Sequence, residues 1–185
     1  MNMKKNNSIK TVVAIGIGAA LFFVLGRFVA IPSPIANTNI SLQYAVLGLL
    51  AAMYGPVAGG LIGFIGHTLI DLSWGGAPWW SWVLSSALVG VIVGLFAKKM
   101  NIQEGEFGKK EVITFAISNV IAHVVAWCVL APVLDILIYQ EPVKKVFAQG
   151  AFAAISNTLT AVIVGSLLIV AFTKTIAKKG SLDKE

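Results

Sequence analysis

Six apolar runs constrain the fold of this chain more than any other feature. A helix needs about 20 apolar residues to cross the hydrocarbon core of a bilayer, and in lipid a helix satisfies its own backbone hydrogen bonds. Of the 185 residues, 57% are hydrophobic and only 12% are charged, a balance unlike that of soluble domains. We therefore predict an all-α integral membrane protein with one membrane domain over residues 1–185. The six predicted transmembrane helices are residues 11–30, 40–53, 57–72, 79–97, 112–138 and 147–172.

Two of these runs are short. Residues 40–53 are too few to cross a bilayer unaided, and residues 57–72 are only slightly longer. Shortened segments either tilt against their neighbours or stop short and leave a cavity, as in membrane transporters. The connection before them, residues 31–39, is predicted to be a loop because Pro32 and Pro34 exclude a helix there. Either arrangement of the short segments leaves space inside the bundle.

Basic residues indicate how the chain is oriented. Eleven of the 14 lysines and arginines lie on the side of the membrane that holds both termini in the six-span arrangement. Because short cytoplasmic loops are rich in Lys and Arg, we predict that both termini are cytoplasmic in the plasma membrane. The net charge of +6 then reflects topology and not a nucleic-acid partner. The eleven are Lys4, Lys5, Lys10, Lys98, Lys99, Lys109, Lys110, Lys174, Lys178, Lys179 and Lys184, and the other three are Arg27, Lys144 and Lys145.

Small residues recur at every fourth position in two of the predicted helices. They are Gly55, Gly59 and Gly63 in one run and Gly90 and Gly94 in the next. This spacing allows helix backbones to approach closely in lipid, where no hydrophobic effect drives helices together. We expect these glycines to pack inside the bundle.

Polar side chains at membrane depth are costly and usually mark function. His67 and Asp71 are one helical turn apart and share a face, and Asn119, His123 and Trp127 share another. Such groups can also serve only as interhelical hydrogen bonds of about 0.6 kcal/mol each, and tryptophans can form an interfacial belt. We favour a binding site. The candidate substrate-binding residues are Asn39, Gln43, His67, Asp71, Trp74, Trp79, Asn119, His123, Trp127 and Asn157.

No catalytic motif accompanies these residues. The sequence has no His-Glu-x-x-His metal motif, no phosphate-binding loop with its lysine and no paired carboxylates suited to catalysis. Its single cysteine, Cys128, lies in an apolar run and has no second thiol to pair with. We expect no enzymatic activity, no metal ion and no cofactor.

A set of motifs spread over nearly the whole chain has a counterpart in a known family. The motifs are residues 14–27, the turn Tyr54-Gly55-Pro56 with Gly59 and Gly63, the run from Gly66 and His67 to Asp71, and Gly90 with Gly94 before Lys98 and Lys99. Together they resemble the substrate-binding S components of energy-coupling factor (ECF) transporters. With Asp135 to Pro142 and Gln149-Gly150 added, the chain is similar to a subgroup of uncharacterised proteins, also described as riboflavin-type or hydroxymethylpyrimidine-type S components.

The resemblance implies a division of labour. An S component binds a vitamin or a precursor from the outer face, while a transmembrane coupling protein and two ATPase subunits supply the energy. The resemblance also implies that Gly16 and Ala20 contact the coupling protein, since the family carries an Ala-x-x-x-Ala motif there, from which Gly16 departs. Residues 32–39, 74–78 and 139–145 correspond to loops that cover the ligand from outside.

The residue types narrow the ligand. Tryptophan faces stack on flat heterocycles, while His, Asn, Gln and Asp side chains hydrogen-bond to ring heteroatoms. The predicted outer half carries no basic cluster, which argues against a strongly anionic ligand. We expect a neutral or cationic ring such as hydroxymethylpyrimidine or a vitamin B6 form, with riboflavin and cobalamin left open.

Two other classes of function fit the same residues. A proton-coupled secondary carrier would use His67, Asp71 and His123 as a relay. A non-transporting structural subunit would bind no vitamin at all.

Overall fold

The computed structural model describes residues 2–176, with side chains from Ser8 onward. Its elements are α1 (Asn2–Phe28), β1 (Ile31–Pro32), β2 (Asn39–Ile40), α2 (Gln43–Tyr54), α3 (Pro56–Ser73), α4 (Trp80–Leu95), α5 (Lys109–Val125), α6 (Ala131–Tyr139) and α7 (Val143–Thr175). The two strands pair antiparallel within the predicted loop between α1 and α2. Two short 3₁₀ turns connect α4 to α5, and a π-helical turn connects α5 to α6.

Five helical segments of the described residues are long and apolar enough to cross a membrane. They are Ser8–Phe28, Pro56–Ser73, Trp80–Lys99, Lys109–Tyr139 and Val143–Thr175. The predicted all-α class is confirmed. The segment predicted at residues 40–53 is α2, whose 12 residues rise only about 18 Å.

Six spans and the side on which the termini lie therefore stay predictions. Part of the charge count that supports the orientation lies outside the described residues, namely Lys178, Lys179 and Lys184. The side chains of Lys4 and Lys5 lie outside them as well.

Large apolar side chains cover the outward faces of the long helices. Ile17 of α1, Leu137 of α6 and Leu167 of α7 are 57%, 72% and 65% exposed. Soluble monomers rarely expose so much contiguous apolar surface, whereas lipid tails are as apolar as leucine. The outer surface is thus suited to a bilayer.

Helices α3 and α4 pack backbone against backbone. A Cβ atom added at Gly59 would collide with the carbonyl oxygen of Gly90, and one added at Gly90 would collide with the backbone of Gly59. One turn further along α3, Gly63 faces the backbone of Ser86 in the same way. The prediction of packing inside the bundle is confirmed for these three glycines and for Gly94, but not for Gly55, which precedes α3 and has nothing within 4 Å of an added Cβ atom. The backbone contact brings the next turn of α3, which carries His67, against α4.

The remaining helices enclose a core on either side of this pair. Helix α1 packs against α3, and α2 packs against α7. Between them, Phe22, Leu47 and Phe115 are completely buried.

The long fifth segment contains a π-helical turn at Ala126–Leu130. Pro132, two residues beyond the turn, lacks the N–H group that an uninterrupted α-helix would direct at the carbonyl of Cys128. The carbonyl of the first residue of the turn accepts a hydrogen bond from Ser85 Oγ of α4 at 3.2 Å. Turns of this kind are frequent at functional sites, and this one carries Trp127.

Adding a methyl group at the contact between α3 and α4 is expected to destabilise the bundle. The new Cβ of Gly90→Ala would meet backbone atoms of Gly59, which cannot move aside as a flexible side chain does. We expect a loss of about 1–3 kcal/mol, measured as a lower melting temperature of the purified protein in detergent.

Gly76→Ala is the matched control, because nothing lies within 4 Å of a Cβ atom added there. Equal melting temperatures for the Gly90 and Gly76 variants would show that the two backbones are not in contact.

Candidate binding site

Two adjoining cavities lie at the end of the bundle where three connections meet, which we call the loop end. The connections are residues 29–42 between α1 and α2, 74–79 between α3 and α4, and 140–142 between α6 and α7. The first cavity has a volume of about 150 Å³ and the second of about 230 Å³. Asn37, Asp71 and Trp82 line both, so the two cavities share a wall.

A chain of hydrogen bonds borders the first cavity. Tyr44 Oη and Ser86 Oγ lie 2.8 Å apart, and Ser86 Oγ lies 2.6 Å from His67 Nδ1. His67 Nε2 is 3.7 Å from Asp71 Oδ1, beyond hydrogen-bonding distance. Both His67 and Asp71 line the cavity, as their spacing of one helical turn predicts.

Four amide side chains line the same cavity, namely Asn37, Asn39, Gln43 and Asn157. Gln43 Oε1 accepts a hydrogen bond from Ser41 Oγ at 3.2 Å, and Asn39 lies in β2. Asn157 of α7 is only 5% exposed, and within residues 2–176 no hydrogen bond joins its side-chain amide to another residue. This amide therefore has a donor and an acceptor to offer a ligand.

The connection between α1 and α2 is fixed beside the cavities by hydrogen bonds. Ser33 Oγ and Thr38 Oγ1 lie 2.5 Å apart, and Thr38 Oγ1 donates to the carbonyl of Ile35 at 2.7 Å. From α7, Gln149 Nε2 donates to the carbonyl of Ala36 at 2.8 Å. The loop is thus tied to the helix that carries Asn157.

The second cavity is built around the carboxylate of Asp135, which is 3% exposed. Its Oδ1 accepts hydrogen bonds from Trp79 Nε1 at 2.7 Å and from Ser81 Oγ, and its Oδ2 accepts one from Trp82 Nε1 at 3.0 Å. The Trp79 ring stacks on Tyr139 with centroids 3.9 Å apart. One carboxylate of α6 thus orients two tryptophans at the start of α4.

The connection between α3 and α4 borders both cavities. The backbone N–H of Trp79 donates to Asp71 Oδ2 at 2.8 Å, so Trp79 links Asp71 to Asp135. At the start of the connection, Trp74 lines the first cavity, and the guanidinium carbon of Arg27 lies 3.7 Å from its ring centroid. This is a cation–π contact, and it joins α1 to the connection.

Trp127 supplies the buried aromatic face of the first cavity. Its ring meets the rings of Tyr44 and Trp82 edge to face, with centroids 5.9 Å and 5.6 Å apart. Its Nε1 donates to His123 Nδ1 at 3.1 Å. His123 therefore orients Trp127 from below without lining either cavity.

The structure brings most of the predicted residues together. Those that line the first cavity are Asn39, Gln43, His67, Asp71, Trp74, Trp127 and Asn157, and Trp79 lines the second. His123 and Asn119 line neither, because they lie on α5 one turn and two turns below Trp127, respectively, and are completely buried. Within the described residues, Asn119 Oδ1 and His123 Nε2 have no hydrogen-bond partner.

Several residues of the site are absent from the list of candidates that the sequence provides, among them Tyr44, Trp82, Ser86 and Asp135. Asp135 carries the signal that singles out Asp71, a carboxylate within an apolar run. Serine and tryptophan are common between and at the ends of membrane helices, so Ser86 and Trp82 give no comparable signal.

The site offers stacking faces, amides and carboxylates, which together can bind a flat polar molecule. In residues 2–176, no group of three or more His, Cys, Asp or Glu residues is placed to hold a metal ion.

Comparisons with known proteins agree with this architecture. A solved structure of ThiT from Listeria monocytogenes superposes with a TM-score of 0.66 at 19% identity, covering 91% of this chain and 95% of that one. A UPF0397 protein of Enterococcus faecalis is 50% identical over 183 residues, which are 99% of this chain and 100% of that protein. Another from Lactococcus lactis subsp. cremoris is 53% identical over 181 residues, covering 98% and 100%.

The family model described as "ECF-type riboflavin transporter, S component" matches residues 6–174. The structural likeness at 19% identity shows a shared fold, while the family match spans nearly the whole chain. The resemblance seen in the sequence is thereby confirmed, and the chain belongs to the family of ECF-type transporter S components.

Proposed function

We propose that this chain is the high-affinity substrate-binding subunit of an ATP-driven ECF-type importer for a small water-soluble vitamin or vitamin precursor. The first cavity carries the proposal, since Trp127 and Tyr44 give it aromatic faces and Asn157 an unpaired amide. Both cavities, at about 150 and 230 Å³, fall below the roughly 300–1,000 Å³ of sites for drug-sized ligands. Taken singly, each cavity is of a size for one ring, such as hydroxymethylpyrimidine or a vitamin B6 form, rather than for riboflavin or cobalamin.

Energy for import is assigned to partners, a transmembrane coupling protein and two ATPase subunits. In this proposal the chain sits in the plasma membrane with both termini cytoplasmic and the loop end outside. Gly16 and Ala20 of α1 are exposed, and nothing lies within 4 Å of a Cβ atom added at Gly16. This open strip of small residues supports a contact with the coupling protein.

The hydrogen-bonded chain from Tyr44 to His67 also suits a second candidate, a proton-coupled carrier. His123, the third member of that relay, meets Tyr44 only ring to ring with centroids 5.1 Å apart, and its Nδ1 accepts from Trp127. This break in the chain supports ligand binding over proton transfer. Substrate-driven proton flux that is abolished by Asp71→Asn would reverse the preference.

The purified chain alone is expected to bind its vitamin, and Asn157→Leu to weaken that binding about tenfold or more. The ligand group that pairs with the amide would be left without a partner in a largely buried site. Native mass spectrometry of the purified protein identifies the ligand, and calorimetric titration compares its Kd between variants.

Thr158→Val is the matched control, a polar-to-apolar change at the next residue, which lines neither cavity. Concentrative uptake by the chain alone in vesicles would contradict the proposed division of labour. If no vitamin raised the melting temperature, a structural subunit would be the better account, because a ligand of the folded state must stabilise it.

Gly16→Leu and Ala20→Trp are expected to leave ligand binding unchanged and to abolish uptake by the complete transporter. A large side chain keeps another helix away from this strip of α1, while the cavities lie at the loop end. Binding is measured on the purified variants and uptake in cells or vesicles that contain the partner subunits.

Leu167→Trp on α7 is the control, since this position is 65% exposed and is not part of the strip. Loss of binding by the Gly16 variant, or normal uptake by both α1 variants, would remove the assigned contact.

A further inference from the structure

The charged groups that line the two cavities are mostly acidic. Asp71 lines both, and Asp135, Glu141 and Lys145 line the second. Lys145 Nζ lies 2.7 Å from Glu141 Oε2, so these two charges compensate one another. Within the described residues, no lysine or arginine forms an ion pair with Asp71 or Asp135.

Neutral donors hold both carboxylates in place. Asp71 accepts the backbone N–H of Trp79, and Asp135 accepts the two indole N–H groups of Trp79 and Trp82 and the hydroxyl of Ser81. Hydrogen bonds of this kind strengthen around an ionised acceptor, but they do not cancel its charge. Arg27 is engaged with the Trp74 ring and lines neither cavity. The cleft formed by the two cavities therefore keeps a negative potential.

A second observation shows that the same cleft is suited to a ligand. Asn157 is 5% exposed and lines the cavity that Asp71 also lines. In the described part of the chain, its side-chain amide forms no hydrogen bond with another residue. Because Asn157 lines the cavity, its amide offers one donor group and one acceptor atom to a polar molecule there.

We propose that the ligand of this chain is a cation, namely a small flat heterocycle that bears a protonated amine or a charged ring nitrogen. The ring lies in the first cavity against Trp127. The positive charge lies at the wall that the two cavities share, near Asp71 and facing the second cavity, which Asp135 lines. Aromatic faces add to the attraction for a cation. This inference rests on the proposed function and names its ligand class, and it separates the chain from carriers of a neutral flavin.

The test compares pairs of compounds that differ in one group. Hydroxymethylpyrimidine is paired with 4-amino-5-aminomethyl-2-methylpyrimidine, and pyridoxine with pyridoxamine, so each pair exchanges a neutral hydroxymethyl for a cationic aminomethyl group. Riboflavin is the neutral fifth compound. Calorimetric titration of the full chain in detergent at neutral pH is expected to show tighter binding of the aminomethyl compound, by about tenfold or more in at least one pair.

Asp71→Asn is expected to remove this preference, with a loss of about tenfold or more for the aminomethyl compound and a smaller loss for its neutral partner. Asp135→Asn is expected to act in the same direction. Because Asp135 anchors two tryptophans, the melting temperature of that variant is measured first, and Asp71→Asn carries the test if it is unstable. Glu104→Gln, the same chemical change at an exposed residue of the connection between α4 and α5, is the control and should change nothing.

Different failures have different meanings. If riboflavin or the hydroxymethyl compounds bind more tightly than the aminomethyl compounds, the charge preference is wrong while the vitamin-binding function stands. The preference is also wrong if Asp71→Asn retains it. If none of the five compounds binds to the folded protein, the ligand class given in the proposed function is wrong, and this inference falls with it.

Discussion

Gly59 and Gly90 bring the backbones of α3 and α4 into contact, and this contact determines where the polar groups of both helices lie. Side chains of any size there would hold the two helices further apart. Because the glycines let the helices approach closely, Ser86 of α4 reaches His67 of α3. The short connection at the loop end likewise brings the N–H of Trp79 to Asp71. The contact between two glycines thus positions the polar side chains of the candidate binding site.

The part of the site that the sequence predicts is the part encoded by local spacing. His67 and Asp71 lie one turn apart on one helix, so their common face follows from helical geometry. Asn119, His123 and Trp127 share a face in the same way, but that face descends into the core, and only Trp127 reaches a cavity. The spacing of residues along a helix does not show how deeply each residue lies in the core of the bundle. The role of Asp135 depends on tryptophans more than 50 residues away in sequence, which no local pattern contains.

Because helix α2 is too short to cross the bilayer, the connection before it lies at the depth of the hydrocarbon core. The 12 residues of α2 cover about 18 Å of a hydrocarbon core of about 30 Å. Irregular backbone at such depth needs hydrogen-bond partners from the protein or must line a cavity. The connection has both, because Gln149 of α7 binds the carbonyl of Ala36 and the residues Asn37 to Asn39 line the first cavity. The sequence predicts that the apolar run at residues 40–53 is short, but it does not predict how the loop before α2 folds.

The π-helical turn at Ala126–Leu130 has a consequence for the register of everything that follows it. Successive residues of an α-helix are about 100° apart around its axis, and the wider turn accommodates one residue more. Asp135 and Tyr139 are therefore rotated by about that angle relative to an uninterrupted helix, and in this orientation they meet Trp79. A relative shorter by one residue in this turn would keep the face of α5 and direct different side chains of α6 at α4. The side chains that α6 presents to the second cavity can thus be exchanged by a single insertion or deletion, with no substitution among the residues that line it.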